Sequence, residues 1–122
     1  MWVVMAPQKA DELRSALERV WLNSKPEAMS RVATLIRFAE NLRSGTRDEM
    51  SRESALLAAH RLSGSLGMFG FNEASSCAAK IEALLGDGRT PDLATMLRLI
   101  EHLRMLMEKT PESNGEQERR DS

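Results

Sequence analysis

Apolar residues recur every three or four positions along most of this 122-residue chain, in stretches interrupted by short runs of glycine, proline, serine and asparagine. This spacing places the apolar side chains on one face of an α-helix. No stretch shows the alternation of apolar and polar residues that marks a half-buried strand. We therefore predict an all-α fold, an antiparallel four-helix bundle (up-down-up-down) with an extra short N-terminal helix packed across it.

Breakers and capping residues divide the chain into five predicted helices. Asn23-Ser24 ends the short N-terminal helix, and Pro26 suits the first turn of the next one. Gly70 occupies a position where a helix end favours a left-handed residue. Gly86-Asp87-Gly88 closes the fourth helix. The predicted helices cover about residues 8–23, 24–42, 48–70, 72–86 and 90–107, with Ser24, Asn72 and Thr90 as candidate N-caps.

Charge and composition give no support to several classes of function. Seventeen basic and eighteen acidic residues give a net charge of −1, which provides no argument for nucleic acid or an anionic membrane. Cys77 is the single cysteine, as in proteins of a reducing compartment. No leader or membrane-length apolar run is evident. We expect a cytoplasmic monomer with a helical domain over residues 1–109 and, because residues 110–122 contain no apolar residue, a disordered polar tail.

A histidine and three glycines lie close together in the third predicted helix, between Ala59 and Gly70. At about 100° per residue, Leu62 and Phe69 lie roughly 180–200° from His60, so His60 is predicted to be exposed opposite the buried face. The residues predicted to share or border the histidine face are Leu56, Leu57, Ser63, Gly64 and Gly67. This combination predicts a shallow site that another protein could contact.

Glycine is costly inside a helix, at roughly 0.8–1 kcal/mol relative to alanine. Gly64 and Gly67 could serve close packing between helices. Because both are predicted on the His60 side and not on the Leu62 side, we favour the interpretation that they clear space beside the histidine.

These residues resemble a known signature. His60-Arg61-Leu62-Ser63-Gly64-Ser65, followed by Gly67, Phe69 and Gly70, is similar to the motif of histidine-containing phosphotransfer (HPt) domains. The resemblance extends to Ala58-Ala59 before the histidine, to Phe71 and to Ile81-Glu82 in the next helix, and it covers roughly residues 8–108.

The resemblance implies a phosphocarrier of a bacterial two-component phosphorelay. His60 would accept a phosphoryl group from a receiver-domain aspartate, or from a hybrid histidine kinase, and pass it to a response regulator. Gly64 would give the partner access. Separately from the resemblance, helix geometry places Arg61 about 100° round the helix from His60, as a further candidate to contact the partner or the phosphoryl group. A neutral imidazole is a nucleophile at physiological pH. Since only the single carboxylate Glu53 is expected near His60, the partner would supply Mg²⁺ and most of the catalysis. We therefore expect no autonomous enzyme, no cofactor and no metal site.

Ser63 departs from the family pattern, in which many members carry lysine three residues after the histidine. A hydroxyl supplies a hydrogen bond but no charge. An alternative is therefore a module that docks a receiver domain without phosphotransfer. A second alternative, a metal or haem site, would use His60 with His102, the only other histidine. His102 lies off its helix's apolar stripe and is expected at the surface, whereas Cys77 lies on a stripe and is expected to be buried.

Overall fold

A computed structural model of the chain describes residues 2–46 and 48–109, with side chains from residue 9 onward. It contains α1 (Trp2–Arg43), α2 (Glu49–Met68), α3 (Asn72–Gly86) and α4 (Leu93–Met107). Short connections make successive helices antiparallel. α2 packs against α1 and α3, and α4 packs against the same two helices, so the four helices close a ring around one core. The predicted all-α bundle is confirmed, and the described residues include no strand.

α1 corrects the prediction of a separate N-terminal helix. It continues for 42 residues through Pro26, with no break at Asn23-Ser24. A proline inside a helix removes one backbone hydrogen bond and costs about 3 kcal/mol. Trp21 and Ala28 lie two turns apart and are both buried, so core contacts hold the same helix face on both sides of Pro26. Tertiary packing therefore outweighs the local preference for a break.

Residues 13–20 of α1 do not pack across the bundle. Leu13, Leu17, Val20 and Trp21 have the spacing of an apolar stripe on one helix face, yet the first three are 65%, 47% and 49% exposed. At 1.5 Å per residue, α1 is about 63 Å long and α2 about 30 Å. The N-terminal part of α1 therefore extends past the end of its neighbours, and Trp21 is the first of the stripe residues to reach the core.

The ends of α2 match their prediction. The Asp48 side chain accepts a hydrogen bond from the Met50 backbone N–H at its start. At its end, the Phe71 N–H bonds to the Leu66 carbonyl and the Gly70 N–H to the Gly67 carbonyl, which is the Schellman pattern. The backbone φ angle of Gly70 is +91°, a conformation that residues with a Cβ rarely adopt.

The starts of α3 and α4 differ from their predicted caps. Phe71, not Asn72, is the N-cap residue of α3, and it is buried. Asp92 replaces Thr90 at the start of α4, where its carboxylate accepts hydrogen bonds from the hydroxyl and the backbone N–H of Thr95. These two hydrogen bonds lower the pKa of Asp92. The two predicted helices are thus confirmed, α3 with its predicted bounds and α4 with a start at Leu93 in place of about residue 90.

Residues 110–122, predicted as a polar tail, lie outside the described part of the chain. Across the described residues, no helix is both long and apolar enough to cross a membrane.

Candidate functional site

His60 lies at the middle of α2, on the side opposite the core. Its side chain is 68% exposed. The opposite face of α2 is buried through Ala55, Ala58, Ala59, Leu62 and Leu66. The predicted orientation of this helix is therefore confirmed, and the imidazole is open to a partner from solvent.

The imidazole ring of His60 makes a hydrogen bond with a carboxylate of α3. His60 Nδ1 lies 2.9 Å from Glu82 Oε2. An ionised carboxylate only accepts hydrogen bonds, so the proton of this contact belongs to Nδ1. In the neutral ring the lone pair available for chemistry is then on Nε2.

Glu82 was not predicted as a site residue. It lies 22 residues from His60 along the chain, and only the packing of α2 against α3 brings the two side chains together. One sequence signal could have indicated Glu82. Ile81-Glu82 is part of the resemblance to HPt domains, but the sequence alone gave Glu82 no role.

A shallow groove of about 750 Å³ adjoins His60 on the N-terminal side of α2. Leu56 is partly buried in it and Leu57 is 48% exposed, as expected for two leucines flanking the histidine. The groove is lined by Glu53, Leu56, Leu57, His60, Ala79, Glu82, Ala83, Gly86 and Asp87. Leu56, Leu57 and His60 of α2 thus form one continuous surface with α3, whereas the other predicted site residues of α2 do not line this groove. The periodicity of α2 did not indicate the contribution of α3.

The two helical glycines beside the histidine differ in their surroundings. A Cβ added at Gly64 would meet nothing within 4 Å, in agreement with a cleared surface. A Cβ added at Gly67 would lie 3.2 Å from Ser75 Oγ on α3. For Gly67 the preferred interpretation is therefore wrong in part, because its missing side chain also permits the close approach of α2 and α3.

Ser63 is turned towards this same contact between the helices. Ser75 Oγ donates a 2.7 Å hydrogen bond to the Ser63 carbonyl, and the two hydroxyls are 3.5 Å apart. Ser63 is partly buried and Arg61 is exposed. The position that often carries lysine in HPt domains thus contributes a hydroxyl engaged with α3, and no positive charge.

His102 and Cys77 lie away from His60. His102 is exposed, as expected, and it borders a different groove, between α3 and α4. Cys77 is buried, as expected, and its thiol donates to the Leu99 carbonyl at 3.2 Å. Burial raises the pKa of this thiol, and Lys80 partly opposes the shift. The structure does not bring the two histidines together, and in the described ranges no three histidine, cysteine or acidic side chains group in a way that could hold a metal ion.

The chain matches a known protein family over most of its length. The family model of the Hpt domain matches residues 2–112. Protein RcaC of Microchaete diplosiphon is 27% identical over 70 residues, which cover 57% of this chain and 11% of that protein. No solved structure matches the chain significantly.

The chain belongs to the Hpt domain family, because the match covers nearly all of its length. Hpt domains are phosphocarriers of two-component phosphorelays, not catalysts, and the family interacts with receiver domains and histidine kinases.

Proposed function

We propose that this chain carries a phosphoryl group on Nε2 of His60, taking it from a receiver-domain aspartate or a hybrid histidine kinase and passing it to a response regulator. The observation that carries the proposal is the 2.9 Å contact of Nδ1 with Glu82 on a histidine that is 68% exposed. One ring nitrogen is held by the protein, and the other is available to a partner. The carrier domain in this proposal comprises residues 1–109.

The transfer step is an in-line displacement at phosphorus. The Nε2 lone pair forms the N–P bond while the bond between phosphorus and the aspartate oxygen of the receiver breaks, and the receiver recovers its carboxylate. The imidazole becomes positively charged and keeps its proton on Nδ1, where the Glu82 carboxylate stabilises it. Transfer to the next receiver reverses these bond changes.

At the position where many HPt domains carry lysine, this chain offers no positive charge for the phosphoryl group. Ser63 supplies none, and its hydroxyl lies beside Ser75. Phosphoryl transfer depends on positioning and on charge stabilisation of the phosphoryl oxygens. In our proposal the receiver domain therefore contributes Mg²⁺ and most of the catalysis.

The test is transfer of radioactive phosphate from purified, phosphorylated receiver domains to this chain. The label should be lost in acid and survive alkali, as a P–N bond does. Alkali-labile label would point to an acyl phosphate and contradict a histidine site. Stable complexes with receivers, without any labelling of the chain, would favour the docking module that the uncharged Ser63 suggests.

Glu82→Gln is expected to slow transfer by about two- to fivefold. The glutamine amide keeps a hydrogen-bond acceptor near Nδ1 but removes the negative charge, and exposed ion pairs contribute only about 0–1 kcal/mol. Rapid-quench measurement of transfer from a phosphorylated receiver would give the rate. Nitrogen NMR of the imidazole should show a larger fraction of the Nε2–H tautomer in the variant. Unchanged tautomer fractions would refute the positioning role of Glu82.

Substitutions at Gly64 separate helix stability from partner access. Gly64→Ala should raise the free energy of unfolding by about 0.8–1 kcal/mol, because the position is helical and a Cβ meets nothing within 4 Å. Gly64→Leu should be folded, yet it should slow transfer from a receiver by at least about tenfold, since a bulky side chain one turn from His60 displaces the incoming phosphoryl group. Urea denaturation and transfer kinetics check the two effects. A Gly64→Leu variant with the parent transfer rate would show that this glycine has no role in access.

A further inference from the structure

The groove beside His60 combines an apolar floor with acidic edges; we refer to it as the acidic groove. Its apolar lining consists of Leu56, Leu57, Ala79, Ala83 and Gly86. Its charged lining residues are Glu53, Glu82 and Asp87, and none of the described lysines or arginines lines it. The groove therefore offers a partner an apolar contact surrounded by negative charge.

Basic side chains of the described residues do not neutralise these carboxylates. Glu82 pairs with the histidine, and Asp87 Oδ1 accepts a hydrogen bond from the Arg89 backbone N–H. Arg52, next to Glu53 in the sequence, is paired with Glu49 at 3.2 Å. Among the ion pairs of the described part of the chain, none joins Glu53 or Asp87 to a lysine or arginine. The negative charge is therefore available to another molecule.

We propose that the acidic groove binds the receiver domain directly and selects receivers whose docking face carries apolar side chains flanked by lysine or arginine. This inference rests on the proposed function, because it assigns the charge of the partner that brings the phosphoryl group to His60. The half-exposed Leu57 supplies the apolar contact, and Glu53 and Asp87 pair with the basic flank.

The physical basis is charge complementarity across a small interface. Charges at an interface edge steer association and disfavour partners of the same sign. Their effect decays over about 10 Å at 0.1 M salt. A receiver with a basic docking face should therefore exchange phosphoryl groups with this chain more slowly as salt rises, whereas an acidic one should be a poor partner at low salt and should exchange faster as salt rises.

The test compares Glu53→Lys with Glu18→Lys, an equal change of charge at an exposed position of α1 outside the acidic groove. Both chains are assayed with purified phosphorylated receivers of differing surface charge, and with phosphoramidate as a small donor that needs no docking. For a basic receiver, Glu53→Lys should lower kcat/KM at least about fivefold relative to Glu18→Lys, chiefly by raising KM, and should weaken the salt dependence. Each rate is divided by the phosphoramidate labelling rate of the same variant, so that any change in histidine reactivity cancels.

The outcomes distinguish the two levels of the proposal. If receivers transfer to both variants with equal kcat/KM and equal salt dependence, the role of the acidic groove is overturned while the carrier function stands. If neither a receiver nor phosphoramidate labels the parent chain, the carrier function fails, and the groove proposal fails with it. Equal circular dichroism spectra of the two variants establish that a difference in kinetics does not come from unfolding.

Discussion

The His60→Gln variant is expected to accept no phosphoryl group from any phosphorylated receiver domain that labels the parent chain. Glutamine offers an amide in place of the imidazole, and an amide nitrogen is not a nucleophile under these conditions. The side chain of His60 is 68% exposed, so its replacement should change the free energy of unfolding by no more than about 0.5 kcal/mol. Loss of labelling would then reflect lost chemistry and not lost structure. The measurement is the incorporation of radioactive phosphate after incubation with the labelled receiver.

His102→Gln is the matched control, because His102 is the other histidine and is also exposed. It borders the groove between α3 and α4, away from the acidic groove. Labelling should be the same as in the parent chain. Labelling that survives in His60→Gln and disappears in His102→Gln would place the carrier site on α4 and refute the assignment to α2.

The Trp21→Ala variant is expected to lose about 3–5 kcal/mol of unfolding free energy, which is a large part of the roughly 5–15 kcal/mol typical of a domain. Trp21 is 7% exposed. Its ring centroid lies 5.5 Å from that of Phe69 and 4.8 Å from that of Phe71. The substitution therefore removes the contact that joins α1 to the turn between α2 and α3. Urea denaturation followed by circular dichroism measures the loss.

Leu13→Ala provides the contrast within the same helix. Leu13 is 65% exposed on the part of α1 that extends beyond its neighbours. Its replacement should change the free energy of unfolding by about 0.5 kcal/mol or less. A loss comparable to that of Trp21→Ala would mean that the Leu13 side chain contributes to the core, contrary to its exposure in this fold.

Much of the fold was predictable because helices carry local signals. The spacing of apolar residues identified the buried side of α2, and that assignment left His60 exposed on the other side. The start of α2 near residue 48 was also predicted, and Gly70 was recognisable at its end because a left-handed end position favours glycine. Identifying His60 as the candidate site residue required only this local helix geometry and the spacing of the glycines around it.

The predictions from sequence were wrong where the local conformational preference of a residue disagreed with the tertiary packing. Pro26 is unfavourable inside a helix, yet α1 continues through it because Trp21 and Ala28 are both buried against the core. Leu13 and Leu17 have helical spacing, but spacing alone does not reveal whether another helix lies beside them. The relative lengths of α1 and α2 decided their exposure.

By itself the sequence determined the helical class, the ends of α2, and the position of His60 opposite the core, because these depend on residues within a few turns of one another. Only the tertiary structure decided which side chains surround that histidine. Glu82 reaches Nδ1, Ser75 approaches Gly67, and the acidic groove forms because α2 and α3 pack side by side. Contacts between residues far apart in the chain depend on how the helices pack, and no local periodicity specifies them.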